Sequence, residues 1–140
     1  REIIEQAAIV YDSKKSAIVE LGGGVPKNTA QQTGPLLDQI LKRNDGGQDY
    51  IIQITDARPD TGGLSGATLQ EGKSWGKIHD AHEGMVTVYA DTTIAFPILA
   101  LYVLSNQQSR EPKRLYKKIG ELYNKLSKDY FKNPNNIKKE

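Results

Sequence analysis

Short apolar runs rich in β-branched residues alternate along this chain with longer segments of helical periodicity. The runs cover residues 16–21, 50–54 and 85–90. Such an alternation predicts buried parallel strands joined by right-handed crossover connections. We therefore predict an α/β fold with a doubly wound, mainly parallel sheet and flanking helices. Folds of this kind bind ligands at the carboxyl ends of their strands, which directs attention to the loops 22–28, 55–65 and 91–93.

Helical periodicity occupies the segments between and after these runs. It predicts helices over residues 1–12, 27–43, 67–76, 92–107 and 111–131. The inward positions of the second predicted helix are Leu36, Leu37, Ile40 and Leu41. That helix is expected to break or restart at Gly34-Pro35, because proline lacks the N–H that a helix interior needs. The apolar stripe of the last predicted helix consists of Leu115, Ile119, Leu122 and Leu126.

The composition is that of an ordinary soluble domain, with 140 residues of which 37% are hydrophobic and 26% are charged. There is no cysteine, which excludes disulfides and thiolate metal sites. The longest apolar run, residues 94–104, is far shorter than the roughly 20 residues that a bilayer-spanning helix needs. No signal peptide is visible, so a cytoplasmic protein without membrane contact is the expectation.

Basic residues concentrate toward the carboxyl end. From residue 109 onward there are ten lysines and arginines against four acids, whereas the whole chain has a net charge of +2. A basic tail can bind nucleic acid. A helix with a solvated basic face explains the same pattern and is the interpretation we favour, so nucleic acid is not an expected partner. Residues 133–140 are expected to be a frayed basic tail.

The only tryptophan, Trp75, lies two residues before Lys77 and four residues after Glu71. A lysine amine is a nucleophile only when it is neutral, and an apolar aromatic wall is one environment that lowers the pKa of a lysine. Lys77 is therefore a candidate for carbon–nitrogen chemistry. The alternative, on composition alone, is a surface lysine beside a half-buried tryptophan.

Three consecutive glycines, Gly22-Gly23-Gly24, follow the first predicted strand. They suit the close approach of a backbone to a phosphate at the start of the next helix. The motif is not a full GxGxxG, because Lys27 occupies the place of the last glycine, and a tight turn is the alternative. Asp91 follows the third predicted strand and opens a helix, so a simple N-cap is the alternative to a ligand contact there.

Two further patterns carry no site. Residues 66–74 look like a phosphate-binding P-loop, but five residues separate the glycines where the motif needs four. His79 and His82 lie close to Asp80 and Glu83, yet the sequence places no third ligand beside them. No metal site is predicted.

Five short motifs share an order and spacing that are specific in combination. They are Gly22-Gly23-Gly24-Val25-Pro26-Lys27, Ser65-Gly66, Glu71, Ser74-Trp75-Gly76-Lys77 and Val88-Tyr89-Ala90-Asp91. Over residues 16–104 the chain resembles the C-terminal half of deoxyhypusine synthase and of deoxyhypusine synthase-like proteins. The resemblance implies a Rossmann-like NAD-binding domain of the deoxyhypusine synthase type, of which residues 1–132 form the C-terminal part.

The resemblance also implies an activity. Deoxyhypusine synthases use NAD to oxidise spermidine to an imine, and they pass the four-carbon aminobutyl unit to an active-site lysine and then to a lysine of a translation factor precursor. Lys77 matches that nucleophilic lysine, Trp75 matches a tryptophan that packs on the polyamine, and Glu71 matches an acid that holds one of its amines. The positions that match cofactor contacts are Gly22, Gly24, Asp56, Ala57, Asp91 and Thr92, with Ser65 contacting the cofactor from the neighbouring subunit. The family often has threonine at the position of Asp56, and a salt-bridged loop around Arg58 is the alternative there.

Three positions depart from the family pattern. Asn28 replaces a histidine that helps proton transfer at the polyamine, Leu64 replaces an acid that anchors the polyamine, and Gln53 replaces a pocket tyrosine. Asn28 remains an expected substrate contact, but an asparagine cannot take up a proton at neutral pH. A retained lysine in a changed donor pocket predicts the same chemistry on a different amine pair, for instance transfer to a small diamine. The alternative is a non-catalytic paralogue that activates a true synthase as a structural subunit.

The resemblance further implies partners. The chains of this family are more than twice as long as this one, their NAD site also draws on the N-terminal half, and their active sites lie between subunits. We therefore expect this segment to be inactive alone. It should need the missing N-terminal half and a symmetric partner, in a homotetramer made of dimers.

Overall fold

The computed structural model describes residues 2–43, 47–64, 68–78, 84–106 and 111–132. Its strands are β1 (Ala17–Leu21), β2 (Tyr50–Thr55) and β3 (Met85–Tyr89). They form one parallel sheet in the order β1-β2-β3. In this register Glu20 of β1 lies beside Gln53 of β2, and Gln53 lies beside Thr87 of β3. The parallel α/β fold predicted from the sequence is confirmed.

Helices connect and flank these strands. They are α1 (Glu2–Asp12), α2 (Gly24–Gln31), α3 (Thr33–Pro35), α4 (Leu69–Ser74), α5 (Thr92–Asn106) and α6 (Ile119–Lys132). A π-helical turn covers Leu36–Ile40, and 3-10 turns cover Pro59–Thr61 and Leu115–Lys117. The connection from β1 to β2 contains α2, and the connection from β2 to β3 contains α4, as crossovers between parallel strands require.

The second predicted helix differs from the structure at its start. It begins earlier than predicted, at Gly24, and the chain continues through Gly34 and Pro35 in helical conformation. Beyond the proline the helix widens into the π turn, in which the Leu41 amide donates to the Leu36 carbonyl at 2.9 Å. The regular helix is interrupted at Gln32, between α2 and α3, and it gives way to the π turn directly after Pro35. This agrees with the break or restart expected at Gly34-Pro35.

The π turn also changes which side chains face inward. Leu37 is fully buried, as predicted, whereas Ile40 is 65% exposed, contrary to the prediction. A π turn advances each residue by a smaller angle than an α-helix, so an apolar pattern read with the α-helical period assigns the wrong face here.

The last helix begins later than predicted. α6 starts at Ile119, whereas the periodicity predicted a helix from residue 111. Arg114 has a left-handed backbone with φ of 48°, which a right-handed helix cannot contain. Leu115 therefore lies in a 3-10 turn and outside the apolar stripe of α6. The tail predicted over 133–140 lies outside the described residues, as does most of the turn predicted at 44–47.

Two apolar clusters form the core within the described residues. The first is formed where α1 packs on α6 and the π turn, by Ala7, Ala8, Leu37 and Leu126. The second connects α4 and the chain after it to the sheet, through Ile51, Leu69 and Ile78. The second cluster fixes both ends of the segment between Leu69 and Ile78, and that segment includes Lys77.

One face of the sheet and the whole of α5 leave apolar side chains exposed. Contrary to the expectation of a buried strand, β1 buries only Glu20, and its Val19 and Leu21 are exposed. α5 has no buried residue, and its exposed apolar members are Ile94, Phe96, Ile98, Leu101, Tyr102, Val103 and Leu104. Many exposed apolar side chains on one helix are typical of a surface that contacts another part of an assembly. Within the described residues, no helix has the length and apolarity needed to cross a membrane.

Candidate active site

The turn after α4 determines the position of Lys77. A capping box begins the helix, in which the Thr68 amide donates to Glu71 Oε2 at 2.7 Å and the Glu71 amide donates to Thr68 Oγ1 at 3.4 Å. The helix ends at Ser74, and Gly76 takes a left-handed φ of 68°, the conformation that reverses a chain after a helix. The Lys77 amide then donates to the Gly72 carbonyl at 3.1 Å, which completes a compact turn.

The side chain of Lys77 points back toward α2. It is partly buried, and its Nζ donates to Asn28 Oδ1 at 3.4 Å. The fold thus brings together two predicted site residues that are 49 positions apart in the chain. Asn28 holds the amine by its carbonyl oxygen, which accepts a hydrogen bond but takes up no proton.

Two charged residues that the sequence analysis did not select lie in the same cluster. Lys27 is 2% exposed, and its Nζ donates to the Leu64 carbonyl at 2.7 Å. Burial lowers the pKa of Lys27, the charge of Lys77 lowers it further, and the charges of Glu20 and Glu71 oppose the change.

Glu20 is the second of these residues. Burial raises the pKa of its carboxyl from 4.5 to about 7, while a hydrogen bond from Gln31 and the charges of Lys27 and Lys77 oppose the rise. Gln31 Nε2 donates to Glu20 Oε1 at 2.8 Å. The available signal was a lone acid inside a β-branched strand directly before the glycines, but one acid in a strand usually faces solvent.

The other two expected substrate contacts have different surroundings. Trp75 is 66% exposed, and its carbonyl accepts a hydrogen bond from Gln39 Nε2 at 3.2 Å. On the α2 side Lys77 meets the polar Asn28, and the packing of Trp75 on a polyamine stays a prediction. The carboxylate of Glu71 belongs to the capping box, and its charge acts on Lys27.

The glycine turn packs tightly against the loop after β2. Gly22 has a left-handed φ of 111°, and a Cβ on Gly23 would lie 2.4 Å from the Gly63 carbonyl oxygen. The Gly24 amide donates to that same oxygen at 2.9 Å. The close contact with Gly63 explains why residue 23 is a glycine. The Gly24 amide at the start of α2 already donates its hydrogen bond to the Gly63 carbonyl.

An open cleft of about 580 Å³ lies at the carboxyl ends of β2 and β3. It is lined by Asp56, Arg58, Pro59, Asp60, Tyr89 and Ala90. Asp56 is exposed there, and carboxylates in this position of parallel α/β folds accept hydrogen bonds from ribose hydroxyls. The residues present therefore fit the sugar portion of a dinucleotide, with the predicted contact Ala57 beside them.

Asp91 follows this cleft and caps α5. Its Oδ1 accepts hydrogen bonds from the Thr93 amide at 2.8 Å and from Thr93 Oγ1 at 2.6 Å, and these bonds lower the pKa of Asp91. Asp91 thus acts as the N-cap of α5, and the cofactor contacts of Asp91 and Thr92 stay predictions. The predicted contact Ser65 lies outside the described residues, as do His79 and His82. Within the described residues, no group of side chains could hold a metal ion.

Comparison with known proteins places the chain in a family. The family model for deoxyhypusine synthase matches residues 1–103. The chain belongs to the deoxyhypusine synthase family. It is 50% identical over 136 residues to a deoxyhypusine synthase-like protein of Nostoc punctiforme and 48% identical over 135 residues to one of another Nostoc strain. It is also 41% identical over 116 residues to a probable deoxyhypusine synthase 2 of Archaeoglobus fulgidus.

These deoxyhypusine synthase relatives are much longer than the chain. The two Nostoc matches cover 93% of the chain but only 35% of each relative, and the Archaeoglobus match covers 80% of the chain and 37% of the relative. The matched region is the C-terminal part of those relatives. The family resemblance predicted from the motifs is therefore confirmed, while the roles of individual site residues remain predictions.

Proposed function

We propose that the full-length protein is an NAD-dependent transferase that moves a four-carbon aminobutyl unit through an imine on Lys77. The donor is spermidine or a related amine, which loses its remaining part as a free amine (1,3-diaminopropane from spermidine) when Lys77 takes the four-carbon unit. The acceptor is a second amine. Family membership supports the reaction class, and the contact between Lys77 and Asn28 is the observation that carries the assignment of residues.

The surroundings of Lys77 fit this role. Its backbone is held by a compact turn between two buried core residues, so the position of the amine depends little on loop motion. Asn28 orients the amine through one hydrogen bond. The exposed ring of Trp75 offers a face on which a cationic carbon chain can pack, and the acid Glu71 lies four residues before it.

The cleft beside Asp56 and Asp91 is the place where NAD would bind this segment. When bound, NAD supplies the hydride acceptance and return that amine oxidation and imine reduction require. Asp56 would hold the ribose hydroxyls there. Lys77 contributes the nucleophile, and Asn28 orients its amine.

The acceptor is proposed to be a small diamine rather than a protein lysine. Leu64 is fully buried, so the position that holds an acid in the family pattern is a core position in this chain. Loss of one carboxylate removes a charge-assisted contact to a polycation and changes which amines the pocket retains.

Activity is proposed to need more of the protein than this segment. The chain spans about a third of its relatives' length, and α5 and one sheet face leave apolar surface uncovered. We propose that the preceding part of the protein and a second subunit complete the site, in a homotetramer.

Product analysis tests this function directly. Full-length protein incubated with NAD, spermidine and putrescine should form a new polyamine one aminobutyl unit longer than putrescine, detected by chromatography and mass spectrometry. A Lys77→Arg variant keeps the positive charge and should form none. No transfer to putrescine, to other diamines or to a protein lysine by the full-length protein would contradict the proposal.

A second candidate is a non-catalytic subunit that activates a true synthase. It is favoured by Asn28, which leaves Lys77 beside a group that cannot take up its proton. Under this alternative the full-length protein is inactive alone and gains activity from Asn28→His combined with Leu64→Asp, or from an active partner. Transfer by the unmodified protein excludes it.

A further inference from the structure

Three buried polar atoms of the sheet make no hydrogen bond within the described part of the chain. They are Oε2 of Glu20 and both Oε1 and Nε2 of Gln53. Glu20 is 2% exposed and Gln53 is fully buried. The two residues are register partners on adjacent strands, so their side chains extend from the same face of the sheet at the same level.

Buried polar groups in proteins are nearly always paired, so these atoms indicate a polar occupant. Two of the three are acceptor oxygens. If the Gln53 amide rotates so that Nε2 donates to Glu20 Oε2, Gln53 Oε1 still lacks a donor. The carboxylate of Glu20 can also accept further hydrogen bonds. An ammonium group carries three donors and no acceptor, and it therefore matches what the pair lacks.

The charges around the pair permit a cation when Lys77 acts as a nucleophile. Glu20 is faced by Lys27 and Gln31 from α2, by Lys77 from the turn after α4, and by Gln53 from β2. Glu71 adds a second carboxylate that acts on Lys27. With Lys77 as a neutral amine, two carboxylates face one lysine, and a ligand ammonium restores the balance of charge.

We propose that Glu20 and Gln53 form an amine subsite that binds the distal ammonium of a diamine or polyamine while its other end reacts at Lys77. The proposal rests on the proposed function for the identity of the ligand. None of the motifs that define the family resemblance includes Glu20. The subsite would supply a carboxylate to a pocket that has Leu64 in place of an acid.

The protonation of Glu20 gives the subsite a signature in addition to activity. Its pKa is raised to about 7, because burial is offset only in part by the lysines. A bound ammonium adds a favourable charge, lowers that pKa and expels the proton that a fraction of the protein holds at pH 7. Amine binding should therefore release protons.

Isothermal titration calorimetry of the full-length protein measures both effects. The protein is loaded with NADH, which cannot accept a hydride, and is titrated with putrescine at pH 7 in two buffers of different ionisation enthalpy. We expect binding with release of a fraction of a proton. Glu20→Gln should weaken putrescine binding about 10- to 100-fold and abolish the proton release, since it removes a charged hydrogen bond.

Two further variants keep the test decisive. Gln53→Leu should weaken putrescine binding about 2- to 10-fold and retain the proton release, and it decides the question if Glu20→Gln fails to fold. The control Glu121→Gln removes an exposed carboxylate of α6 and should leave binding and proton release unchanged. Unchanged NADH binding verifies that each variant is folded.

The outcomes separate this proposal from the proposed function. If both subsite variants bind putrescine as the unmodified protein does, the pair holds an ordered water only and the proposal is overturned. It is also overturned if the unmodified protein binds no diamine or polyamine. If Glu20→Gln loses binding but the unmodified protein transfers no aminobutyl unit, the subsite stands and the proposed function fails.

Discussion

Gly34 of α3 touches the turn of Lys77 so closely that a Cβ on Gly34 would lie 2.5 Å from the Gly76 carbonyl oxygen. The same Cβ would lie 3.0 Å from the Cα and the amide nitrogen of Gly47. A glycine that looks like a helix breaker in the sequence is therefore a contact point between α3 and the turn that positions the candidate nucleophile.

Gly34→Ala should destabilise the protein and displace Lys77. Its methyl group meets backbone atoms that cannot move without shifting the turn, and we expect a loss of about 1–3 kcal/mol in the free energy of unfolding. Urea unfolding of the full-length protein measures this loss. The control is Gly120→Ala in α6, where a Cβ meets no atom within 4 Å and where stability should be unchanged or slightly higher. Equal stability of the Gly34→Ala variant and the unmodified protein would show that the contact is looser than described.

The stability of the protein should fall as pH rises toward neutrality because of Glu20. Its pKa is raised from 4.5 to about 7, so between these values the folded state binds a proton that the unfolded chain has released. The contribution of this group is therefore favourable at low pH, declines through the window from 4.5 to 7, and is constant above it.

Urea unfolding at pH 5 and pH 8 tests this linkage. The Glu20→Gln variant should lack a decline of roughly 1–3 kcal/mol that the unmodified protein shows between these conditions. Glu121→Gln, which removes an exposed acid, should keep the decline. A Glu20→Gln variant with the same pH dependence as the unmodified protein would mean that Glu20 is ionised and well solvated in the folded state.

The apolar surface of α5 should be an interface in the full-length protein. Ile98 is 66% exposed and Leu101 is 67% exposed. Replacing both by lysine should weaken association at least about ten-fold, because two charges would be desolvated in the contact. Light scattering after size-exclusion chromatography reports the mass of the assembly. Tyr116→Lys, at an exposed position in a 3-10 turn, is the control and should leave the mass unchanged.

The sheet could be predicted because its signal is local. Each strand is a short run of β-branched residues, and the alternation with helices fixes parallel pairing. Which side chains of the second predicted helix are buried could be predicted only in part, because a π turn after Pro35 exposes Ile40. The start of α6 depends on the left-handed backbone of Arg114, for which an arginine gives no signal.

The candidate site was predictable only where a motif pointed to it. The motif around Trp75 selected Lys77, and the comparison with the family pattern selected Asn28. Glu20 and Lys27 were missed because their burial results from the packing of α2 and the loop after β2 against β1, which no local pattern reports. The glycines were selected for a phosphate, and the structure adds a packing contact to Gly63.

Borohydride trapping shows directly whether Lys77 forms an imine with an amine-derived carbon chain. The full-length protein is incubated with NAD and spermidine, reduced, digested and analysed by peptide mass spectrometry. We expect a mass increase of one aminobutyl group on the peptide that contains Lys77, and none in the Lys77→Arg variant. An unmodified Lys77 peptide from a protein that is folded and binds NAD would contradict this expectation.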